Sequence, residues 1–235
     1  MLTLYHLTNS RSQRVIWLLE ALNEQYEIIL CERNTHGLAP DWLKTLHPLG
    51  KVPMLMFENN GKKIVLAETS AIFDFLALKF ADNALFDLKG LNFTQISNYC
   101  YFKNFADSSL MPNLALKQIF ARMVSQSPRL GKPVTGKIKQ VFDQQFLNPL
   151  VFEQLAMIDN GLQYQRFLVD EKLMAVDILL EFMLNALAVS VPNFEHFSNI
   201  SRYLQDLQAL PSYQRAVIKG QFDKNAFINY WYQAW

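Results

Sequence analysis

The first eighty residues alternate between strand-like and helix-like hydrophobic patterns, and this alternation constrains the fold more than any other feature. Residues 2–7 are mainly apolar, as in a buried strand. After them, Val15, Leu18, Leu19 and Leu22 recur at the i, i+3, i+4, i+7 spacing of an amphipathic helix. The pattern predicts the order strand, helix, strand, helix, strand, strand, helix, whose later members are residues 26–32, 40–46, 52–57, 62–67 and 69–80.

The last two predicted strands are joined by ENNG, whose Asn60-Gly61 pair is typical of a tight hairpin turn. This order of elements predicts a mixed sheet flanked by helices, with an antiparallel hairpin at its end, which is the thioredoxin-like order. Beyond residue 90 strand patterns largely stop, and Pro112 marks a kink or break in a long helical stretch. We therefore predict an α/β thioredoxin-like domain over residues 1–81 and an all-α domain over residues 90–235.

The composition argues against several classes of partner. Hydrophobic residues make up 51% of the chain, enough for a sizeable core, and the net charge of +1 disfavours nucleic acid or a strongly anionic surface. The most apolar stretch, residues 177–191, is too short to span a bilayer and contains Glu181 and Asn185. The N-terminus lacks the pattern of a signal peptide, so we expect a cytoplasmic protein with no membrane partner.

Two common types of motif predict no functional site in this sequence. The stretch GKPVTGKI has the GxxxxGK frame of a phosphate-binding loop, but Ile138 stands where a magnesium-binding Ser or Thr is needed, and no strand precedes it. No metal site is predicted from the four histidines, which are scattered without ligand spacing: His6, His36, His47 and His196.

Ser10 is the first candidate site residue, and two interpretations of it are open. The sequence SRSQ fits a capping box, in which Ser10 caps the first helix and Gln13 reaches back to its backbone. Alternatively, the hydroxyl of Ser10 is free to meet an anion at the helix N-terminus, where unpaired N–H groups and the positive end of the dipole lie.

Pro53 and the pair Glu68-Thr69 are the other candidates. Pro53 begins the third predicted strand, and a cis Val52-Pro53 bond there would leave the backbone of Val52 free to pair with an extended, peptide-like ligand, whereas a trans proline would only start the strand. Glu68 and Thr69 precede the last helix of the unit, where their structural role would be capping. Three corners suited to an anion or a peptide thus fall on one predicted sheet.

Together these residues resemble the soluble glutathione transferases, in particular bacterial and fungal members of the serine type. The motifs that carry the resemblance are NSRSQRVIWLLEAL, HPLGKVPML, LAETSAIFDFLA and FLVDEKLMAVDILL. The resemblance covers nearly the whole chain and is stronger over residues 1–80 than beyond. It implies a thioredoxin-like domain followed by an all-helical domain, a homodimer, glutathione as co-substrate and a role in detoxification.

The resemblance also implies roles for individual residues. Pro53 would be the family's cis-proline, presenting the backbone of Val52 to the cysteinyl part of glutathione. Glu68 and Thr69 would hold the γ-glutamyl carboxylate and backbone, and Lys51 would contact the glycyl carboxylate. Ser10 would be the activating serine, whereas Tyr5 lies too far upstream for the tyrosine of the tyrosine-type classes and is interpreted as a strand residue.

The implied chemistry is activation of the glutathione thiol. A free thiol with a pKa near 8.5 is only a few per cent ionised at neutral pH. Lowering its pKa by about two units requires roughly 2.7 kcal/mol, which a hydroxyl donor and a helix N-terminus can supply together without a metal ion. Ser10 would donate a hydrogen bond to the thiolate, which would attack a small hydrophobic electrophile or reduce a peroxide.

The second substrate is less well specified. An apolar cleft could receive contributions from Phe102, Phe105 and Met111 and be capped by the C-terminal aromatic residues, although all of these side chains could serve packing instead. Asp107 could act across a dimer. A non-catalytic binding protein on the same fold is the alternative function, and a thiol–disulfide oxidoreductase is disfavoured because Ser10 stands where that chemistry needs a cysteine.

One departure from the family pattern lies in the helical part. The family has Ser or Thr three residues before the aspartate that corresponds to Asp177, but this chain has Met174. Loss of such a cap costs on the order of 1 kcal/mol, so we expect an effect on local stability rather than on activity.

Overall fold

The structure, a computed structural model, describes residues 1–35 and 37–235; His36, one of the histidines considered above, lies outside the described residues. The strands are β1 (Leu2–His6), β2 (Tyr26–Leu30), β3 (Met54–Asn59) and β4 (Lys62–Ala67). The α-helices are α1 (Gln13–Ala21), α2 (Thr69–Lys79), α3 (Phe93–Phe105), α4 (Met111–Gln126), α5 (Lys132–Phe142), α6 (Asn148–Gly161), α7 (Ala175–Ala188), α8 (Ser198–Gln208), α9 (Pro211–Lys219) and α10 (Lys224–Tyr232). Short 3₁₀ helices occupy Asp41–Thr45 and Phe194–His196.

The four strands form one mixed sheet in the order β2-β1-β3-β4. β1 and β2 are parallel, while β1–β3 and β3–β4 are antiparallel. The predicted thioredoxin-like order is therefore confirmed, including the hairpin at one side of the sheet. Asn60 and Gly61 have φ of 51° and 73°, the left-handed conformation that the tight turn between β3 and β4 requires.

The chain divides into two compact units, which do not follow the sequence in a single cut. The first unit comprises residues 1–90, 173–182 and 207–223, and the second comprises residues 91–172, 183–206 and 224–235. The sheet, α1 and α2 belong to the first unit, so this unit is the α/β part of the fold. The division into folding domains at residues 81–90 stays a prediction.

α1 is buried along almost its whole length within the first unit. Every residue from Gln13 to Glu20 is buried, so the buried surface of this helix extends beyond the predicted apolar face. Trp17 donates to Ser212 Oγ (3.1 Å) and packs edge-on against Tyr213, with ring centroids 5.0 Å apart. Glu20 accepts from Arg215 and Lys219 at 2.8 and 2.5 Å. Trp17 and Glu20 thus find their polar partners on α9.

The second unit is helical in the described residues. The break expected near Pro112 is a π-helical turn at Ala106–Leu110 between α3 and α4, with Pro112 in the first turn of α4. Phe102 and Phe105 are buried, and both pack against Tyr101, which agrees with a packing role. The GxxxxGK stretch forms the beginning of α5 rather than a loop after a strand.

None of the helices in the described part of the chain is both long and apolar enough to cross a membrane. The most apolar helix is α7, of 14 residues. It contains two buried carboxyl groups: Asp177 accepts a hydrogen bond from the backbone N–H of Met174, and Glu181 accepts one from Gln208.

α7 keeps half of a capping box although its first capping residue is a methionine. Asp177 Oδ2 accepts a hydrogen bond from the backbone N–H of Met174 at 2.8 Å, and Asp177 is fully buried. This is the back-reaching bond that the third helical residue makes in a capping box. The missing hydroxyl at Met174 therefore removes one of the two bonds and leaves the other in place.

We expect Asp177→Ala to lower the free energy of unfolding by about 1–3 kcal/mol, because the buried N–H of Met174 would lose its acceptor. Urea denaturation followed by circular dichroism measures the change. Asp82→Ala is the matched control. The carboxylate of Asp82 is exposed and lies 3.8 Å from Lys89, so we expect its removal to change the free energy of unfolding by no more than about 0.5 kcal/mol. Equal stabilities of the two variants would contradict the capping role of Asp177.

Candidate functional site

Three of the predicted site segments meet at one edge of the sheet. Tyr5 near the end of β1 pairs with Met54 at the start of β3, and Met54 also pairs with Ala67 at the end of β4. The chain that leaves β1, the chain that enters β3 and the chain that leaves β4 therefore lie side by side. Val52-Pro53 directly precedes β3, Glu68-Thr69 directly follows β4, and Ser10 lies four residues after β1, so the register brings the three segments to the same end of the sheet.

Ser10 lies in the turn between β1 and α1, two residues before the helix N-cap. It is half-buried, and its Oγ is 2.7 Å from Ser12 Oγ and 3.3 Å from the backbone N of Ser12. Ser12 Oγ in turn lies 2.6 Å from His6 Nδ1, and His6 Nε2 lies 2.9 Å from the carbonyl oxygen of Gly220. Ser10 is thus the outermost member of a chain of hydrogen bonds that runs into the interior.

The capping-box interpretation of Ser10 is wrong. α1 begins at Gln13, its N-cap is Ser12, and no side chain makes a capping bond there. Gln13 instead donates its amide N–H to the carbonyl oxygen of Ala216 at 2.7 Å. Because Gln13 faces buried residues of α9, it cannot also turn back to the Ser10 backbone.

The Val52–Pro53 peptide bond is cis, as the resemblance implies. Pro53 is buried, and Val52 packs against a core cluster that includes Tyr5, Leu43 and Met54. Val52 precedes the paired residues of β3, and its backbone makes no hydrogen bond to the rest of the described chain. An N–H and a C=O therefore stand available at this corner.

Glu68 is held in an unusual backbone conformation, with φ of 72° and ψ of 127°. A residue with a Cβ rarely adopts positive φ, and such outliers cluster at functional sites at a cost of about 1–3 kcal/mol. Glu68 is exposed and forms the N-cap of α2, and Thr69 is the first helical residue. The expected capping by Thr69 is therefore wrong, because the helix begins one residue earlier than a Thr69 cap requires.

Thr69 is buried, and its hydroxyl oxygen accepts a hydrogen bond from Arg14 Nη2 at 3.3 Å. Arg14 is only 1% exposed and also donates from Nη1 to the carbonyl oxygen of Leu179 at 3.2 Å. The hydroxyl proton of Thr69 is left to donate elsewhere, because the oxygen takes the guanidinium as its donor. Lys51, the remaining predicted site residue, is exposed next to Val52.

Sequence reasoning considered His6 only as a metal ligand, and it did not single out Ser12 or Arg14. His6 sits in an apolar run and reads as a strand residue, and Ser12 reads as helix surface. Both are fully buried. The available signal was the polar side chain of His6 inside a strand otherwise suited to the core, since buried polar groups need hydrogen-bond partners.

Cys31 belongs to the same core cluster as Tyr5 and Met54, but it does not suit thiol–disulfide chemistry. It follows β2, is buried, and burial raises the pKa of its thiol. A reactive cysteine needs a lowered pKa and access to solvent. Its environment is therefore that of a structural residue.

A buried carboxyl group lies behind Arg14 in the same unit. Glu181 shares a small cavity with Gln13, Arg14, Trp17 and Tyr213. Burial raises the pKa of Glu181 to about 7, against the opposing effect of hydrogen bonds from Tyr213 and Gln208. Glu181 therefore titrates near neutral pH, unlike an ordinary glutamate.

Family models match both parts of the chain. The model described as the N-terminal domain of glutathione S-transferase matches residues 10–79, and the model for the C-terminal domain of the same family matches residues 113–211. The first match contains the site segments from Ser10 to Thr69. The fold and the site geometry define a thioredoxin-like domain joined to helices, and the two matches show that the chain belongs to the glutathione S-transferase family.

Relatives of similar length agree with this assignment. The chain is 29% identical over 222 residues to glutathione S-transferase 1 of Saccharomyces cerevisiae, covering 91% of this chain and 92% of the relative. It is 26% identical over 219 residues to glutathione S-transferase 3 of Schizosaccharomyces pombe, covering 93% and 88%.

Solved structures show the same fold. A glutathione S-transferase from Actinobacillus pleuropneumoniae superimposes with a TM-score of 0.71 at 27% identity, covering 97% of this chain and 99% of that one. A glutathione transferase homologue from Sulfitobacter, solved with bound glutathione, has a TM-score of 0.73 at 18% identity, covering 94% and 98%.

Glu181 makes stability depend on pH in a defined direction. Its folded pKa of about 7 exceeds the unfolded value of 4.5, so the folded state binds the proton more tightly. The stability from this proton is fully present below about pH 4.5 and is lost as the pH rises through about 7. We expect Glu181→Gln to be more stable than wild type at pH 8 by on the order of 2–3 kcal/mol, with the gap closing towards pH 4.5.

Denaturant titrations of the wild type and Glu181→Gln between pH 4.5 and 8 measure this difference. The exposed Glu153 supplies the control variant Glu153→Gln, whose stability should follow the wild type at every pH. A constant offset between Glu181→Gln and wild type across the range would contradict the raised pKa.

The positive φ of Glu68 predicts that Glu68→Gly raises the free energy of unfolding by about 1 kcal/mol, because glycine accepts this conformation without steric cost. Thermal denaturation measures the change. Glu58→Gly in β3 is the matched control, and there glycine should lower stability by about 0.5–1 kcal/mol. A loss of equal size at both positions would show that Glu68 is unstrained.

Proposed function

We propose that this chain binds glutathione at the sheet edge formed by Ser10, Val52-Pro53 and Glu68-Thr69 and activates its thiol for attack on a small hydrophobic electrophile. Glutathione is the co-substrate of the family to which the chain belongs. The observation that carries the proposal is the register of the sheet. It brings a hydroxyl, an unpaired backbone segment and a helix N-terminus to one place.

Each part of glutathione has a chemically suitable partner among these residues. The N–H and C=O of Val52 suit the cysteinyl backbone, which is an extended peptide unit. The N-terminus of α2 suits the γ-glutamyl carboxylate through its free N–H groups and dipole, and the Thr69 hydroxyl adds a donor. The carboxylate of Glu68 suits the γ-glutamyl ammonium. Lys51 is exposed beside Val52 and suits the glycyl carboxylate.

Ser10 is the group we assign to the thiol. Its Oγ is half-buried and belongs to an ordered hydrogen-bond chain, which fixes the position of the hydroxyl. A hydrogen bond from a hydroxyl to an anion contributes about 1.5–3 kcal/mol, comparable with the roughly 2.7 kcal/mol needed to lower a pKa by two units. The helix dipole contributes little, because α1 begins three residues after Ser10.

The reaction with an electrophile forms a carbon–sulfur bond and expels a leaving group or opens an activated double bond. The same thiolate would attack the O–O bond of an organic hydroperoxide, with a second glutathione needed to complete the reduction as the disulfide. A cytoplasmic homodimer with a role in detoxification belongs to the same proposal, and analytical ultracentrifugation of the purified chain tests its oligomeric part.

We expect wild type and Ser10→Ala to bind glutathione with affinities within about threefold, whereas only the wild type lowers the thiol pKa of the bound ligand, by about 1–2 units. Isothermal titration gives the affinities. The ultraviolet absorbance of the thiolate, followed against pH, gives the pKa. At pH 6.5 the conjugation of a dinitrohalobenzene should fall by about 10–100-fold in Ser10→Ala.

Ser125→Ala is the control, because Ser125 is exposed on α4 and bonds only its own helix. If the wild type binds glutathione without ionising it, the non-catalytic alternative is correct. An absence of glutathione binding would remove the proposal entirely. Assays with the dinitrohalobenzene and with an organic hydroperoxide then separate transferase from peroxidase activity.

A further inference from the structure

We propose that Ser10, Ser12 and His6 form a proton relay that takes up the thiol proton of glutathione and thereby turns the Ser10 hydroxyl into a donor to the thiolate. The inference rests on the proposed binding of glutathione beside Ser10. Ser10 is the catalytic residue that touches the substrate, and Ser12 and His6 are positioning residues that act through it.

The tautomer of His6 is fixed by its deepest contact. His6 Nε2 lies 2.9 Å from the carbonyl oxygen of Gly220, and a carbonyl can only accept, so Nε2 carries a hydrogen. In neutral His6 the other nitrogen, Nδ1, must therefore be an acceptor.

The direction of the remaining bonds follows from that tautomer. Ser12 Oγ lies 2.6 Å from Nδ1 and 3.3 Å from the carbonyl oxygen of Leu7, so its one hydrogen goes to Nδ1. Ser12 Oγ then accepts from the N–H of Leu7 and from the Ser10 hydroxyl. With neutral His6, the Ser10 hydrogen points at Ser12, and an oxygen lone pair of Ser10 is left for the thiol.

A second arrangement of the same atoms satisfies every group once a thiolate accepts the hydrogen of Ser10. If His6 carries a second proton, Nδ1–H donates to Ser12, and the Ser12 hydroxyl donates to Ser10. Ser10 then accepts from the backbone N–H and the hydroxyl of Ser12, and its own hydrogen is directed outward. The two arrangements differ by one proton and by the direction of the Ser10–Ser12 and Ser12–His6 bonds, whereas the bonds from His6 Nε2 and from the backbone N–H groups keep their direction.

Proton transfer along the chain converts one arrangement into the other. The S–H bond breaks as its proton moves to Ser10, the former Ser10 proton moves to Ser12, and the former Ser12 proton moves to Nδ1 of His6. Two hydroxyls are regenerated, and the products are a thiolate and an imidazolium. No other reactant is needed, and the proton returns by the same path when the leaving group or the product requires it.

The surroundings of His6 keep the relay in its accepting arrangement before glutathione binds. Burial lowers the pKa of His6, the Gly220 carbonyl opposes this effect, and the charge of Arg33 adds to it. Of the other titratable groups near these elements, Cys31 has a raised pKa, Lys219 is bonded to Glu20, and Asp223 is linked to Asn9. A thiolate next to Ser10 supplies the negative charge that favours the imidazolium.

The test follows the ¹⁵N chemical shifts of the histidine side chains in the intact wild-type protein at pH 7. His6 is assigned by its absence in His6→Asn. Without ligand we expect a neutral His6 protonated at Nε2. With saturating glutathione we expect signals of the doubly protonated ring, and with S-methylglutathione, which has no thiol proton, we expect the neutral ring to persist.

Variants give the kinetic counterpart. Asparagine at position 6 can still accept from Ser12 but cannot take a proton, so His6→Asn and Ser12→Ala should bind glutathione within about threefold of wild type. The thiol pKa in these complexes should rise by about one unit, and conjugation at pH 6.5 should fall by about tenfold, recovering at pH 9 where the thiol ionises without help. Ser190→Ala, another buried hydroxyl, and His196→Asn, an exposed histidine, should behave as wild type.

The outcomes separate the relay from the proposed function. If the wild type binds glutathione as the thiolate while His6 stays neutral, or if Ser12→Ala keeps the wild-type thiol pKa, the relay is wrong and the Ser10 proposal stands. If the wild type binds no glutathione or does not ionise it, both are wrong. Should His6→Asn fail to fold, Ser12→Ala and the wild-type spectra decide the question.

Discussion

The burial of α1 is the constraint on which the rest of the first unit depends. A helix buried from Gln13 to Glu20 has no solvent face, so each of its polar side chains must find a partner inside the protein. Gln13 is met by Ala216, Arg14 by Leu179 and Thr69, and Glu20 by Arg215 and Lys219. These partners come from segments far along the chain, which explains why the first unit includes residues 173–182 and 207–223.

The same bonds connect α1 to the candidate site. Arg14 bonds the hydroxyl of Thr69 at the start of α2, and the turn before α1 carries Ser10 and Ser12. The sheet register determines where the three site segments meet. α1 holds two of these segments in place, the one with Ser10 and the one with Thr69. Removing the hydrogen bond from Arg14 to Thr69 or to Leu179 would leave a buried charge without that partner, which is far more costly than losing a surface ion pair. The same contacts of α1 therefore position the site segments and stabilise the first unit.

Local sequence signals explain which features could be predicted. The hairpin at Asn60-Gly61 and the mixed sheet depend on neighbouring residues and on hydrophobic period, so both were predictable. The cis bond at Pro53 came from the family resemblance, because the residues alone left cis and trans open. The capping box at Ser10 and Gln13 was also a local signal, but the side chain of Gln13 bonds Ala216, 203 residues away. No local pattern reveals that a polar residue on a helix will be buried.

The hydrogen-bond chain behind Ser10 resolves a difficulty in activation by a hydroxyl alone. A serine has one hydrogen, and with neutral His6 the geometry directs it towards Ser12 rather than outward. A single hydroxyl stabilises an anion by about 1.5–3 kcal/mol, and this barely reaches the roughly 2.7 kcal/mol that a two-unit decrease in the thiol pKa requires. A Ser10 that also donated to Ser12 would fall short, because the same hydrogen cannot serve two acceptors at full strength. Taking the thiol proton inward removes the competition, since the reversed chain leaves the Ser10 hydrogen for the thiolate. Ser12 makes no side-chain cap for α1, so helix formation does not explain a serine at this position. Its hydrogen bond to the buried histidine does.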